Sequence, residues 1–247
     1  MIRNVAIMGA TGAVGQEILS ILEERNFPLQ SLKLLASERS AGKEFKFKGE
    51  TLKCEVLNKD SFKGIDLVLS SAGAAISKEF APIAVENGAV VVDNTSFFRM
   101  DPTVPLVVPE VNPEDIKLHK GIIANPNCTT IMMVVVLNPI EKISHIKKIH
   151  ISSYQSASGA GAVAMEELKQ QYKDILETGS TTHINKFPFQ LAYNVIPQID
   201  KMTENDYTKE EMKMFNETRK IMHSDVRTSA TCVRVSSLRS QIGRAHV

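Results

Sequence analysis

Residues 4–15 read NVAIMGATGAVG, and the order of elements in this stretch decides the fold. Asn4–Met8 is apolar enough for a buried strand, Gly9–Gly15 is a glycine-rich turn, and the helix that follows carries Ile18, Leu19 and Leu22 on one face. Strand, glycine turn and helix make a phosphate-binding start. Gly9 and Gly12 would let backbone approach a pyrophosphate at the helix N-terminus, and Gly15 would allow close packing of helix on strand. A tight βα turn without a ligand would carry the same residues.

The same alternation continues outward. Leu32–Ala36, Asp66–Ser70, Ala89–Val92 and a short strand before Asn125 are continuous apolar runs. With helices between them, around Phe80–Val85 for example, they predict a parallel sheet covered on both faces, an α/β domain. Ligands bind at the C-terminal ends of such strands. Ser70–Gly73, Asn94–Arg99 and Asn125–Cys128 should therefore line one crevice. Ser37–Lys43, SERSAGK, follows the second strand, where an adenosine ribose is read; an acidic residue there takes a 2′-hydroxyl and an arginine a 2′-phosphate. Ser37, Arg39, Ser40 and Lys43 favour the phosphate and hence NADP(H), against Glu38 and against a plain solvated basic loop. Arg99 suits an anionic substrate group, although a surface arginine of no such purpose fits equally.

Cys128 lies in Asn125–Thr130, NPNCTT, between a strand and an apolar helix starting near Ile131 that Thr129 and Thr130 could cap. Unpaired N–H groups and a positive helix end would lower its pKa. Taken alone, a cysteine is better read as a small buried hydrophobe. Beyond it, Lys148–Tyr154 alternates like a strand and Gln155–Gly161 is a glycine-bearing loop. Val163–Leu176 reads as a helix, Glu177–Gln190 as a loop, Asn194–Ile199 as a short extended segment, and Thr228–Val235 as a final strand. Thr208–Glu211 is a capping box opening a helix to about Met222. Glu210 and Lys213, three apart on it, ordinarily make a solvated salt bridge. Arg234 would be costly to bury without an acidic partner or ligand.

The 247 residues suffice for one large or two ordinary domains. A net charge of +1, from 29 basic and 28 acidic residues, gives no broad field for nucleic acid or an anionic membrane. The longest apolar run, Ile131–Leu137, is far below the roughly 20 residues of a membrane span. No signal peptide is evident. Three scattered cysteines argue against a disulfide framework or a zinc site, so no metal is expected and the cytoplasm is the default location.

Ten motifs together resemble one family, the aspartate-β-semialdehyde dehydrogenases of bacterial type. They are GATGAVG at Gly9, SERSAGK at Ser37, SSAG at Ser70, VVDNTSFFRM at Val91, VPLVVPEVN at Val104, NPNCTT at Asn125, YQSASGAG at Tyr154, NVIPQID at Asn194, EEMKMFNETRKI at Glu210 and TCVRV at Thr231. The resemblance implies a Rossmann-type NADP-binding domain over 1–127. It implies a substrate and dimerisation domain like that of glyceraldehyde-phosphate dehydrogenase over 128–240, there incomplete, in a protein that is a homodimer at full length. It also implies NADP-dependent conversion of aspartyl β-phosphate to the semialdehyde and phosphate, on the way to lysine, methionine and threonine, with the acyl group carried by Cys128. Gln155 would orient the site. Arg99 and Asn127 would bind phosphate with help from Lys213, Glu210 the substrate amino group, and Arg234 its carboxylate. The cofactor set would be Gly9, Thr11, Gly12, Ala13, Val14, Ser37, Arg39, Ser40, Ser71, Ala72, Gly73, Ser158 and Gly159.

The sequence departs from the family pattern near its end. The family places a histidine, the general acid/base, seven positions after the arginine of TCVRV; here that position is Gln241. Ser236 and Ser237 replace a usual Pro-Val pair. Ile242–Val247, IGRAHV, resembles a translated sequencing adapter, so 241–247 is expected to be a non-native tail of a truncated chain and His246 not the missing base. N-acetylglutamyl-phosphate reductase, which shares the thioester logic, and an inactive nucleotide-binding fragment are the alternatives.

Overall fold

The computed structural model describes residues 4–247, so the first three residues of the expected 1–127 domain lie outside the described part. The chain forms two compact units that meet in sequence at Pro126 and Asn127. The first runs β1 (Asn4–Met8), α1 (Ala13–Glu24), β2 (Ser31–Ala36), β3 (Glu44–Phe47), β4 (Glu50–Val56), β5 (Leu67–Ser70), α2 (Ala74–Glu86), β6 (Val90–Asp93) and β7 (Ile122–Ala124), and its seven strands build one sheet. Its strand order is β3-β4-β2-β1-β5-β6-β7. All pairings are parallel except the β3–β4 hairpin. The order runs one way from β1 through β2 to β4 and the other way from β5 to β7. That reversal between β1 and β5 is the switch point at which α/β sheets bind ligands, so the α/β, Rossmann-type expectation holds for this unit. Val5–Met8 are wholly buried, and Ile7, Leu19, Leu22 and Leu34 share a core with Phe47 and Cys54 of the hairpin.

The hairpin was not anticipated from the sequence. Lys48 and Gly49, both at positive φ, form its two-residue turn, the geometry that matches strand twist.

In the second unit, α3 (Cys128–Ile143), β8 (Lys148–Gln155), α4 (Ala162–Thr178), β9 (Val195–Ile196), α5 (Lys209–Met222), β10 (Arg227–Val235) and β11 (Gln241–His246) surround a four-stranded sheet ordered β11-β8-β10-β9. β8 and β10 are parallel, while β9 and β11 run antiparallel to their neighbours. Met133, Leu137, Ile149, Ile151, Met214 and Cys232 form the core between α3, α5 and the sheet. The irregular chain after α4 is held by that helix: Glu167 accepts the backbone N–H groups of Asn185, Lys186 and Phe187. Gln171 likewise accepts those of Leu191 and Ala192, so these five N–H groups are satisfied without a strand.

Two expectations are corrected. The strand ending at Val235 is not the last, because residues 241–246, read as a tail, pair with β8 from Gln241 opposite Gln155 to His246 opposite His150. Edge pairing needs only backbone N–H and C=O groups and so accepts almost any side chains. Helix α3 starts at Cys128 rather than near Ile131. Among the described residues, no helix is long and apolar enough to cross a membrane, and no cluster of three or more His, Cys, Asp or Glu could hold a metal ion.

Candidate active site

Asn127 starts the site. Its backbone is extended, and its side-chain oxygen accepts the N–H groups of Thr129 (2.9 Å) and Thr130 (3.4 Å). It therefore caps α3 in place of the two threonines, which fall inside the first turn. This cap makes Cys128 the first residue of the helix. The Asn127 side-chain amide donates to Glu210 Oε1 at 2.9 Å.

Glu210 is 6% exposed, so the solvated pair expected with Lys213 is instead a buried carboxylate with an ordered set of donors. Lys213 Nζ lies 2.8 Å from Oε2, and Gln155 Nε2 3.1 Å from Oε1. Helix α5 is opened by the Thr208–Glu211 capping box, as its spacing predicts, and it packs on α3 and β10. That packing turns Glu210 inward. Burial alone would raise the Glu210 pKa; the Lys213 charge, with donors from Lys213, Gln155 and Asn127, outweighs it and holds the carboxyl below its ordinary value.

Gln155, at the end of β8 and 3% exposed, also donates to Thr129 Oγ1 at 3.0 Å. Gln241 Nε2 donates to the same oxygen. Thr129 and Gln241 both favour the charged form of the neighbouring Cys128 thiol. Cys128 itself reaches solvent, yet its pKa lies above the ordinary thiol value. Surrounding protein is the main cause and the Glu210 charge the second, and together they exceed the Thr129 and Gln241 hydrogen bonds. The expected lowering is thus reversed, because burial disfavours the thiolate and the Glu210 carboxylate adds to it by disfavouring a second negative charge. Cys232, buried on β10, is pushed up to about 12 by burial and is no competing thiolate.

Arg234 is 6% exposed, and its Nη1 donates to the Ser156 carbonyl at 2.7 Å. Burial lowers its pKa and Glu210 opposes the shift; an arginine starts so high that it stays charged. No ion pair to an acidic side chain accompanies it among the described residues. Gly159 lies against it, since an added Cβ would come 2.9 Å from Arg234 Nη1 and 3.5 Å from Gln155 Oε1. Ser158, in the same turn, bonds Ser156 through their hydroxyls at 2.8 Å.

The first unit gathers most of the other expected residues. Gly9 adopts φ +91° with backbone 2.7 Å from where its Cβ would be, at Ser71, and a Cβ on Gly15 would lie 2.2 Å from the Gly9 carbonyl. The turn after β1 is thus packed on the loop Ser71–Gly73, and only glycine fits at Gly9 and Gly15. Thr11 Oγ1 reaches Ser40 Oγ at 3.4 Å. Helix α1 begins after Gly12 at Ala13 and Val14, with no side-chain cap and no acid in its first turn; α2 begins the same way after Gly73. Two uncapped helix starts beside a turn with no room for side chains suit the phosphates of a dinucleotide. Ser37, Glu38, Arg39, Val56 and Leu57 line an adjoining hollow. Arg99, 7% exposed, donates to the Asn94 carbonyl at 2.9 Å.

Sequence reading missed three supporting residues. The spacing predicts Thr129 as a cap, whereas its hydroxyl oxygen accepts from Gln155 and Gln241. Glu211 accepts the Cys232 backbone N–H at 3.0 Å, and Glu217 accepts that of Asn127. The spacing of Glu210, Glu211 and Glu217 on a helix with buried Met214 and Ile221 was the available signal.

Comparison with known proteins agrees with these units. Residues 4–119 match the family model "Semialdehyde dehydrogenase, NAD binding domain" and residues 137–247 "Semialdehyde dehydrogenase, dimerisation domain". An aspartate-semialdehyde dehydrogenase of Synechocystis is 56% identical over 238 residues, 96% of this chain and 70% of that protein. One of Aquifex aeolicus is 57% identical over 236 residues, 94% and 69% of the two chains. A crystal structure of aspartate semialdehyde dehydrogenase II from Vibrio cholerae, complexed with ASA, superposes with a TM-score of 0.95 at 46% identity, covering 99% of this chain and 74% of that one.

Proposed function

Because the chain belongs to the aspartate-semialdehyde dehydrogenase family, oxidoreductases acting on an aldehyde or its acyl equivalent, we propose that it reduces aspartyl β-phosphate to aspartate semialdehyde through a thioester on Cys128. The observation that carries this reading is the grouping of Asn127, Gln155, Glu210 and Thr129 around one helix-start cysteine. The Cys128 thiolate attacks the β-carbonyl carbon, the C–S bond forms, and the acyl C–O bond breaks to release phosphate. NADPH, when bound, supplies hydride for the acyl carbon. The acyl carbon then leaves sulfur as the aldehyde, and Cys128 is again a thiolate.

Each side chain has a task in this scheme. Glu210 accepts the substrate amino group while Lys213 keeps it ionised. Arg234, a buried cation with guanidinium N–H groups beyond the one given to Ser156, takes the substrate carboxylate. Asn127, Lys213 and Arg99 meet phosphate. The turns at Gly9–Val14 and Ser71–Gly73 hold the pyrophosphate, with Ser158 and Gly159 contributing to the cofactor set. Arg39 with Ser37 and Ser40 favours NADP(H) over NAD(H). We assign 1–127 to the cofactor and 128–240 to substrate and dimerisation, and expect a cytoplasmic homodimer serving lysine, methionine and threonine synthesis.

Gln241 favours a second reading, a slow or arrested enzyme that still binds dinucleotide. It bonds Thr129 beside the thiol but cannot exchange a proton near neutral pH.

The test of substrate is direct. With NADPH present, aspartyl β-phosphate is expected to be reduced and N-acetylglutamyl phosphate not; turnover of the acetylated substrate alone would defeat the proposal. A second check concerns Gly159. Gly159→Ala must push the Arg234 guanidinium aside, so KM for aspartyl phosphate should rise about tenfold with kcat little changed, the loss of a ground-state charge-assisted bond. Steady-state kinetics read both, and an unchanged KM removes Arg234 from carboxylate binding.

A further inference from the structure

Glu217 has no part in the scheme above, yet it is among the most deeply buried charged side chains of the second unit, 2% exposed. It stands seven residues beyond Glu210 on α5, so the two share a helix face. A carboxylate at that depth needs hydrogen bonds or opposite charge. Its Oε2 accepts the backbone N–H of Asn127 at 2.7 Å, a short charge-assisted bond. Its negative charge also stands beside the positive end of α3.

The position of this bond matters more than its strength. Asn127 has three functions occupied at once: its N–H by Glu217, its side-chain amide by Glu210, and its side-chain oxygen by the first turn of α3. Glu210 and Glu217 thus grip one residue from two turns of one helix. The next peptide leads to Cys128, so the orientation of Asn127 sets the direction in which the sulfur leaves the helix start. If the grip at N–H is released, the peptide can turn about Asn127 φ while the Glu210 contact persists, and Sγ swings.

We infer that Glu217 is a positioning residue for Cys128, holding the Asn127 peptide so that the sulfur faces the substrate carbonyl. It touches neither substrate nor cofactor. The inference rests on the reading of Cys128 as the nucleophile.

The test uses the full chain with Glu217→Gln, Glu217→Ala and Glu217→Asp. Each is followed by thermal unfolding, by kcat and KM for aspartyl phosphate, and by the iodoacetamide alkylation rate of Cys128 from peptide mapping. Glutamine keeps an acceptor oxygen in place and should stay within about twofold of the parent, while alanine should lower kcat about tenfold, the worth of one hydrogen bond, and change KM much less. The alkylation rate of the alanine variant should change by a similar factor at temperatures where it is folded. If alanine does not fold, aspartate, one methylene short, should be folded and show an intermediate loss in both rates. A folded alanine or aspartate variant with kcat and alkylation unchanged overturns the inference, as does glutamine losing as much as alanine. Alkylation needs no substrate, so a parent chain inert toward aspartyl phosphate would count against the proposed reaction while the alkylation rates still decide the role of Glu217.

Discussion

Cys128→Ala is expected to lower turnover of aspartyl phosphate by at least about 10⁴-fold, because loss of a nucleophile leaves only binding and electrostatic contributions. NADPH affinity should not change, since Cys128 is not among the residues proposed to hold the nucleotide. Kinetics and a fluorescence titration of the nucleotide separate the two effects. The unsubstituted enzyme should show a matching pH dependence. Burial and Glu210 push the Cys128 thiol above its ordinary value, so thiolate is the minor form at neutral pH. The acylation rate should climb as pH rises toward that raised pKa and level off above it. A rate independent of pH from neutral upward would mean that the sulfur is already ionised. Retention of activity in Cys128→Ala would remove the thioester from the mechanism altogether.

Gln241→His is the second large effect, in the opposite direction. Gln241 bonds Thr129 and acts on the Cys128 thiol beside it, which is where a proton-transfer group has to stand. A histidine there should raise kcat by about two to four powers of ten, the usual worth of general acid-base assistance, and should add an imidazole limb to the pH-rate profile. The check is a pair of full pH profiles. If the variant gains no rate and no new limb, proton transfer at this position does not limit the reaction.

The dinucleotide unit was legible because its signals are local. Asn4–Gly15 puts strand, turn and helix in one short window, and the positive φ of Gly9 and the crowding at Gly15 are what those letters are for. The β3–β4 hairpin was missed, although Phe45, Phe47, Leu52 and Cys54 alternate about Lys48-Gly49; charged residues between them masked the pattern.

The site was less legible, for a physical reason. Thr129 and Thr130 look like caps, but Asn127 precedes them and its oxygen reaches both N–H groups, so the helix starts earlier. Glu210 and Lys213 carry every mark of a surface pair. The burial of Glu210 comes from α5 packing on α3 and β10, contacts made across long sequence separation. The sign of the Cys128 shift depends on the same packing, since Glu210 is distant in sequence and adjacent in space. The roles of Arg234, Gln155 and Lys213 came from resemblance, because periodicity and spacing do not distinguish a ligand-holding arginine from a buried structural one.

Cys128 should carry the acyl group as a thioester. Intact-mass measurement of the full chain mixed with aspartyl β-phosphate in the absence of NADPH tests it most directly. One added aspartyl group is expected, released by hydroxylamine, mapped to the peptide containing Cys128, and absent in Cys128→Ala. Phosphate release with no covalent adduct, or an adduct on Cys54 or Cys232, would contradict it.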